Sequence, residues 1–171
     1  MPSVIDPVLS KLDKLMFGHS RQVENLSPII ASLLHKLDEA PTLPQAWQSL
    51  SAEFFDIKLP SDIASAWLFA LRGGGRFPSE RHPNSWQRSL ALRGRALFEV
   101  YGEDCWQQYQ LDSAGRTTRI ISIPPNMWHR IAIGPEPFVS LSFHTVVAAE
   151  LIEETCEGDD FSQTHRRLYQ G

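Results

Sequence analysis

A mainly β fold, a barrel or sandwich preceded by a helical segment, is what this sequence predicts. Two observations carry the β part. Beyond position 63 apolar residues recur at every second position, and turn residues interrupt them at roughly 8–12-residue intervals. The helical part rests on a third: within the first 55 residues the apolar positions repeat at three and four instead.

Each expected helix opens with a capping device. Asp6-Pro7 and Ser27-Pro28 place a capping side chain before a proline at the first helical position. Thr42-Leu43-Pro44-Gln45 offers capping-box spacing instead. In the first helix Val8, Leu12, Leu15 and Met16 form the apolar stripe. In the second, Ile29, Ile30, Leu33, Leu34 and Leu37 share a face opposite Ser32, Lys36 and Asp38. Trp47, Leu50 and Phe54 would give a third helix its stripe.

The strands follow. Trp67, Phe69 and Leu71 alternate until Gly73-Gly74-Gly75 breaks the run. Further strands are expected over 86–93, 96–101, 106–111, 117–123, 128–133 and 138–147, separated by Gly102-Glu103-Asp104, Asp112-Ser113-Ala114-Gly115, Pro124-Pro125-Asn126 and Gly134-Pro135-Glu136-Pro137. The chain thus divides into a helical segment over 1–58 packed on the barrel, a barrel over 59–155, and a tail over 156–171 that forms a short helix or a disordered end.

Composition narrows the function classes. Hydrophobic residues are 42 % of the 171, and nine Phe with five Trp suffice for the core of one domain. A net charge of −4 with both signs interspersed provides no basic face for nucleic acid and no polybasic run for a membrane. The N-terminal stretch carries acids and no long apolar run, so it does not read as a signal peptide, and no segment approaches the roughly 20 apolar residues of a membrane span. Cys105 and Cys156 have no metal-type spacing, which reads as a reduced, cytoplasmic protein.

Two short segments carry the chemistry: Glu80-Arg81-His82-Pro83-Asn84-Ser85-Trp86-Gln87, closed by Gly94, and Pro124-Pro125-Asn126-Met127-Trp128-His129. Glu80 and His82 are two apart, so on extended chain they point the same way. Gln87, Ser89 and Ala91 would line an interior, the last two leaving room for a ligand. In 138–147, one face carries Ser140, Ser142 and His144, too polar for a dry core and suited to a pocket wall. If Glu80, His82 and His129 converge, they make the two-histidine, one-carboxylate set that leaves open positions on a divalent metal; Fe(II) is the metal it favours, with Ni, Mn or Zn as alternatives. Gln87 is a weak neutral ligand or an orienting group. Glu80 could instead pair with Arg81 or Arg95, at the surface, where such pairs are worth little. Isolated histidines in turns are most often plain surface residues, so it is the joint pattern that points to a site.

At these residues the sequence resembles the cupin superfamily, whose first motif has paired histidines, then an acid, then a glycine ending the strand. Its second motif places a histidine after a Pro-x-Gly turn. Glu80 stands at the first histidine, His82 matches the second, Gln87 occupies the acid position, Gly94 has the expected spacing, and Pro124, Asn126 and His129 match the second motif. Within cupins, His82-x-Asn84-Ser85, His129-Arg130-Ile131 and Glu136-Pro137-Phe138-Val139-Ser140-Leu141 are similar to thiol dioxygenases of the cysteine dioxygenase type, over about residues 66–147. The resemblance implies a cupin double-stranded β-helix, a jelly-roll barrel preceded by an N-terminal helical segment, with Glu80, His82 and His129 at its iron-ligand positions. That family's cysteine and tyrosine, joined covalently in many members, fall at Gln87 and His144, so no such crosslink can form. Its carboxylate-binding arginine has candidates in Lys58, Arg72 and Arg76.

The expected function is therefore a metal-dependent, non-haem Fe(II)-type oxygenase of a small polar substrate. Gln87 and His144 would act beside the metal, and Ser140, Ser142, Arg72 and Arg76 would bind substrate. The alternatives are a metal-free cupin, either a binding module or a sugar-type isomerase using His82 or His129 as proton shuttle, and an interaction protein with the barrel as scaffold. The expected partner is a small-molecule ligand, with no nucleic acid and no membrane, and exposed Trp106 and Tyr109 could form a homodimer surface.

Overall fold

The computed structural model describes residues 6–18, 20–115 and 118–169. Asp6 caps the first helix: its Oδ1 accepts the Val8 backbone N–H at 2.9 Å, and Pro7 takes the first helical position. Helix α1 spans Pro7–Phe17 and buries Leu9, Leu12 and Met16. Helix α2 spans Ser20–Glu39 and runs through Pro28, so Ser27-Pro28 is not a helix start. Pro28 sits on the exposed face, where the carbonyl it leaves unbonded meets water, and the Ser27 hydroxyl donates to the Val23 carbonyl.

The third expected helix is instead strand β1, Gln45–Leu50, followed by a short 3-10 turn at Ala52–Phe54. Edge strand β1 pairs in antiparallel register with β2, Ser65–Leu71, which is buried along most of its length. The expected strands then appear in order: β4 Gln87–Arg93, β5 Arg95–Gly102, β6 Cys105–Asp112, β7 Ile120–Ile123, β8 His129–Ile133 and β9 Phe138–His144, with a short β3 at Ser79–Arg81 ahead of them. Thr117, where the fourth of these was expected to begin, lies outside the described residues. The tail is neither helix nor loose end. Strands β10, Ile152–Cys156, and β11, Thr164–Leu168, form an antiparallel hairpin.

Two antiparallel sheets result, ordered β1-β2-β9-β4-β7 and β11-β10-β3-β8-β5-β6. This is a jelly-roll barrel of the cupin type. Alternation assigns the two faces of the first sheet. Ala66, Leu68, Ala70, Leu90, Val139, Leu141 and Phe143 face the helices and pack with Leu12, Met16, Leu26, Leu33 and Leu37. Ala91, Phe98, Val100, Ile121, Ile123 and Phe138 fill the barrel's own core between the sheets.

Polar ties fix the helices in place. The buried Asp6 carboxylate accepts from Arg88 Nε on β4 and from the Ser122 hydroxyl on β7, both at 2.6 Å. Arg119 forks onto Asp13 of α1 at 2.6 and 2.9 Å. Gly94 ends β4 at φ +77°, with the Pro137 carbonyl oxygen 2.5 Å from where a Cβ would sit, so the glycine expected there is required by the backbone.

Candidate functional site

Sheet pairing brings the two histidine segments together. Glu80 on β3 is the direct cross-strand partner of His129 on β8, so their side chains leave the sheet on one face. His82 follows β3 at the same parity. Donor atoms of Glu80, His82 and His129 all lie within 4.8 Å of one another. The turn before His129 is closed by Asn126 in the left-handed region, φ 65°, and its N–H donates to the His82 carbonyl at 2.9 Å.

Both imidazoles are held by their outer nitrogen. His82 Nδ1 lies 3.0 Å from the Ile152 carbonyl on β10, and His129 Nδ1 lies 3.1 Å from the Met127 carbonyl. A carbonyl only accepts, so each Nδ1 carries the proton and each Nε2 presents a lone pair to the pocket. The rings are 5 % and 1 % exposed, while Glu80 keeps 32 % of its side chain open through the pocket.

The His129 Nε2 is buried without a hydrogen-bond partner, although Glu80 Oε1 stands 3.3 Å away. Two lone-pair atoms facing each other at that distance require a positive charge between them, a proton or a metal ion. A metal about 2.1 Å from each donor would set neighbouring donors roughly 3–4 Å apart, close to what is found. Two nitrogens and one carboxylate oxygen suit a first-row divalent ion. The residues present therefore fit such a metal.

Electrostatics agree. Burial lowers the His82 pKa below 6.5, against a raising effect from Glu80 and with a further lowering one from His129. Burial, then His82 and His129, press His144 well below the same value. Both stay neutral at pH 7. Burial works to raise Glu80, but His129, His82 and Arg167 outweigh it and keep the carboxyl below its usual 4.5. Neutral His82 and ionised Glu80 are in the states that metal ligands require.

The surrounding cavity has a volume of about 140 Å3. Gln87 and His144 are direct cross-strand partners on β4 and β9, as are Ser89 and Ser142, whose hydroxyls are 2.8 Å apart. Gln87, Ser140, Ser142 and His144 all line the cavity. Gln87 donates to Ser89 at 3.3 Å and leaves its Oε1 buried and unpartnered. His144 Nδ1 lies 3.3 Å from the Ser85 hydroxyl.

The expected arginines do not reach this cavity. Arg72 is consumed by the end of α2, donating to the carbonyls of Leu37, Ala40 (2.9 Å) and Leu43 (2.9 Å). Carbonyls left unpaired at a helix C-terminus take up a cation well, and that sets its direction. Arg76 is exposed, bridged by its backbone to Ala132, and acts on Glu99. Neither Arg81 nor Arg95 holds Glu80: they pair with Glu154 and Asp112. Trp106 is half-buried, covered by Arg130 at 4.1 Å and by Phe161.

The cavity's cation comes from the tail. Arg167 on β11 pairs with the buried Glu153 of β10, at 2.5 Å from Nη2, and both line the cavity beside Tyr169. Burial and the nearby Glu80 push Glu153 up to about 7, with Arg167 opposing them. Burial likewise raises the Tyr169 phenol, which stays protonated. The alternation of Glu153 and Thr155 with Arg167 and Tyr169 was the available sequence signal, masked by the polarity of both strands.

No family model matches the chain, and no curated protein does. Solved structures do. The coconut allergen cocosin matches with a TM-score of 0.52 at 19 % identity over 66 % of this chain and 28 % of its own. A variant of Bacillus subtilis oxalate decarboxylase gives 0.52 at 17 % over 67 % and 28 %, and CapF with an inhibitor gives 0.50 at 15 % over 61 % and 29 %. These are cupin-fold proteins, so the comparisons show that fold. The chain spans less than a third of the length of each. No helix among the described residues is long and apolar enough to cross a membrane.

Proposed function

We propose that this jelly roll is a metal-dependent enzyme, a non-haem Fe(II)-type oxygenase of a small polar substrate, with Glu80, His82 and His129 as metal ligands. One observation carries the reading: three donors converge within 4.8 Å, and both imidazoles are fixed through Nδ1 with Nε2 turned inward. When bound, the metal supplies open coordination positions and, as Fe(II), the electrons that reaction with O2 requires.

The chain's own residues supply the rest. Trp67, Phe69 and Ile131 keep water from the cavity, which strengthens every charge interaction inside it. Gln87 offers its free Oε1 to a substrate donor. His144, neutral and backed by Ser85, orients a polar group or takes a proton at its ring nitrogen. Ser140 and Ser142 place further hydroxyls along the wall. A cysteine–tyrosine pair is absent from the positions of Gln87 and His144, so a cysteine dioxygenase-like reaction would proceed without it.

A second reading keeps the pocket and leaves out the metal, with His82 or His129 as proton shuttle in an isomerase or as ligand contact in a binding module. The inward Nε2 atoms support it. Metal analysis of protein purified without added metal, then after reconstitution, tests the choice. Stoichiometric metal that is lost with His82→Ala is expected; none in either preparation overturns the first reading.

A further inference from the structure

The cavity lining combines polar groups with aromatic and aliphatic side chains. Part of its wall is an aromatic cluster built around Tyr169, whose ring stands edge-on to Trp67 at 4.9 Å, 79° between planes, and 6.3 Å from Phe69. The Tyr169 N–H donates to the Leu151 carbonyl at 2.7 Å, fixing the residue past the end of β11. The Arg167 guanidinium lies 5.8 Å from the Tyr169 ring. Arg167, Tyr169 and Gln45 line both this cavity and the cleft between β1 and β11, so the route inward passes them.

Size and charge limit the occupant. A volume of about 140 Å3 is close to the roughly 150 Å3 cavity that accepts benzene. Two carboxylates, Glu80 and Glu153, and one guanidinium, Arg167, line it. The formal charges of these three groups sum to zero or −1, according to the state of Glu153. A divalent ion on the three ligands makes the sum positive, whichever state Glu153 takes. An excess of positive charge around a partly buried metal favours an anionic occupant.

We propose that the pocket takes a small monoanionic acid with a flat apolar body, its acid group toward the metal and its flat face against Tyr169 and Trp67, and that Tyr169 selects for that body. This rests on the metal reading above. Aromatic rings in edge-to-face contact attract beyond their buried area, and Trp67 has a buried indole N–H without a hydrogen-bond partner.

Calorimetric titration of the Zn(II)-loaded full chain with benzoate, acetate and benzylammonium tests this. Benzoate is expected to bind about tenfold more tightly than acetate, and benzylammonium more weakly than either. Tyr169→Ala should erase the benzoate advantage while acetate affinity holds, and Tyr169→Phe should keep it. Tyr169→Leu, which keeps apolar bulk without a ring, should lose it too and serves if the alanine variant does not fold. Metal-loaded protein that binds acetate as tightly as benzoate, or prefers benzylammonium, overturns the inference and leaves the metal reading intact. A benzoate preference that survives both ring-removing variants overturns the assignment to Tyr169. Protein that takes up no metal overturns the metal reading and the anion preference together.

Discussion

The backbone N–H of Asn126 donates to the carbonyl of His82 at 2.9 Å, so the two histidine-bearing segments are bonded to each other directly. Each half of the site therefore positions the other, and the donors need little rearrangement when a metal enters.

Replacing a ligand should show this economy. His82→Ala or His129→Ala is expected to abolish stoichiometric metal with little loss of fold, because the pocket walls are otherwise intact. Glu80→Gln keeps the shape and removes the charge, and should weaken metal binding by at least about 10–100-fold, the range typical of outer-shell changes. Competition with a chromophoric chelator measures both; unchanged affinity in Glu80→Gln would remove Glu80 from the ligand set.

Arg72 serves stability instead of substrate. Arg72→Ala should cost about 2 kcal/mol in urea unfolding, since charged hydrogen bonds to the α2 carbonyls are lost. Ligand affinity should stay at the wild-type value.

Asp6 ties α1 to two strands while accepting from the buried Arg88. Asp6→Ala leaves that guanidinium with Asp62 alone, and should destabilise by about 3 kcal/mol in the same assay.

The Asp6 contribution is also pH-dependent. Burial raises its pKa, but hydrogen bonds from Ser122 and Arg88 and the Arg88 charge outweigh this and hold it below 3.8. A lowered folded value means stability that is complete above the unfolded pKa and lost as pH falls through the folded one. The stability gap between wild type and Asp6→Asn should be flat from about pH 5 to 7 and close below about pH 4. A gap that widens on acidification would contradict the pairing.

Beneath the helices, Leu141 is fully buried on β9. Leu141→Ala should cost about 2–5 kcal/mol by cavity formation. Its side chain faces away from the pocket, so metal stoichiometry should be unaffected.

Much of the barrel was legible because its strands alternate strictly: Ser140, Ser142 and His144 fall on one face of β9 and Val139, Leu141 and Phe143 on the other. The convergence of Glu80, His82 and His129 was legible for the same reason, being a matter of parity and turn position. The helix expected at Trp47, Leu50 and Phe54 failed because three- and four-residue spacing arises by chance over so short a stretch, and pairing with β2 decided the outcome. In α2 the capping logic at Ser27-Pro28 lost to burial of Leu26, Leu33 and Leu37 along one continuous helix. Strand β11 was illegible: Thr164, His165, Arg166 and Arg167 are all exposed, and only the partner strand explains their extension.

Because the β10–β11 hairpin closes the pocket, the site depends on a segment made well after its ligands. His82 Nδ1 waits for the Ile152 carbonyl, 70 positions later, and Asn84 waits for Glu150 and Ile152. Synthesis at about 5–20 residues per second leaves that imidazole unanchored for several seconds. Until then its tautomer is free and its lone pair is unaimed. Metal capture is thereby postponed until β10 is made, and a nascent chain halted before it carries the ligands without the cage.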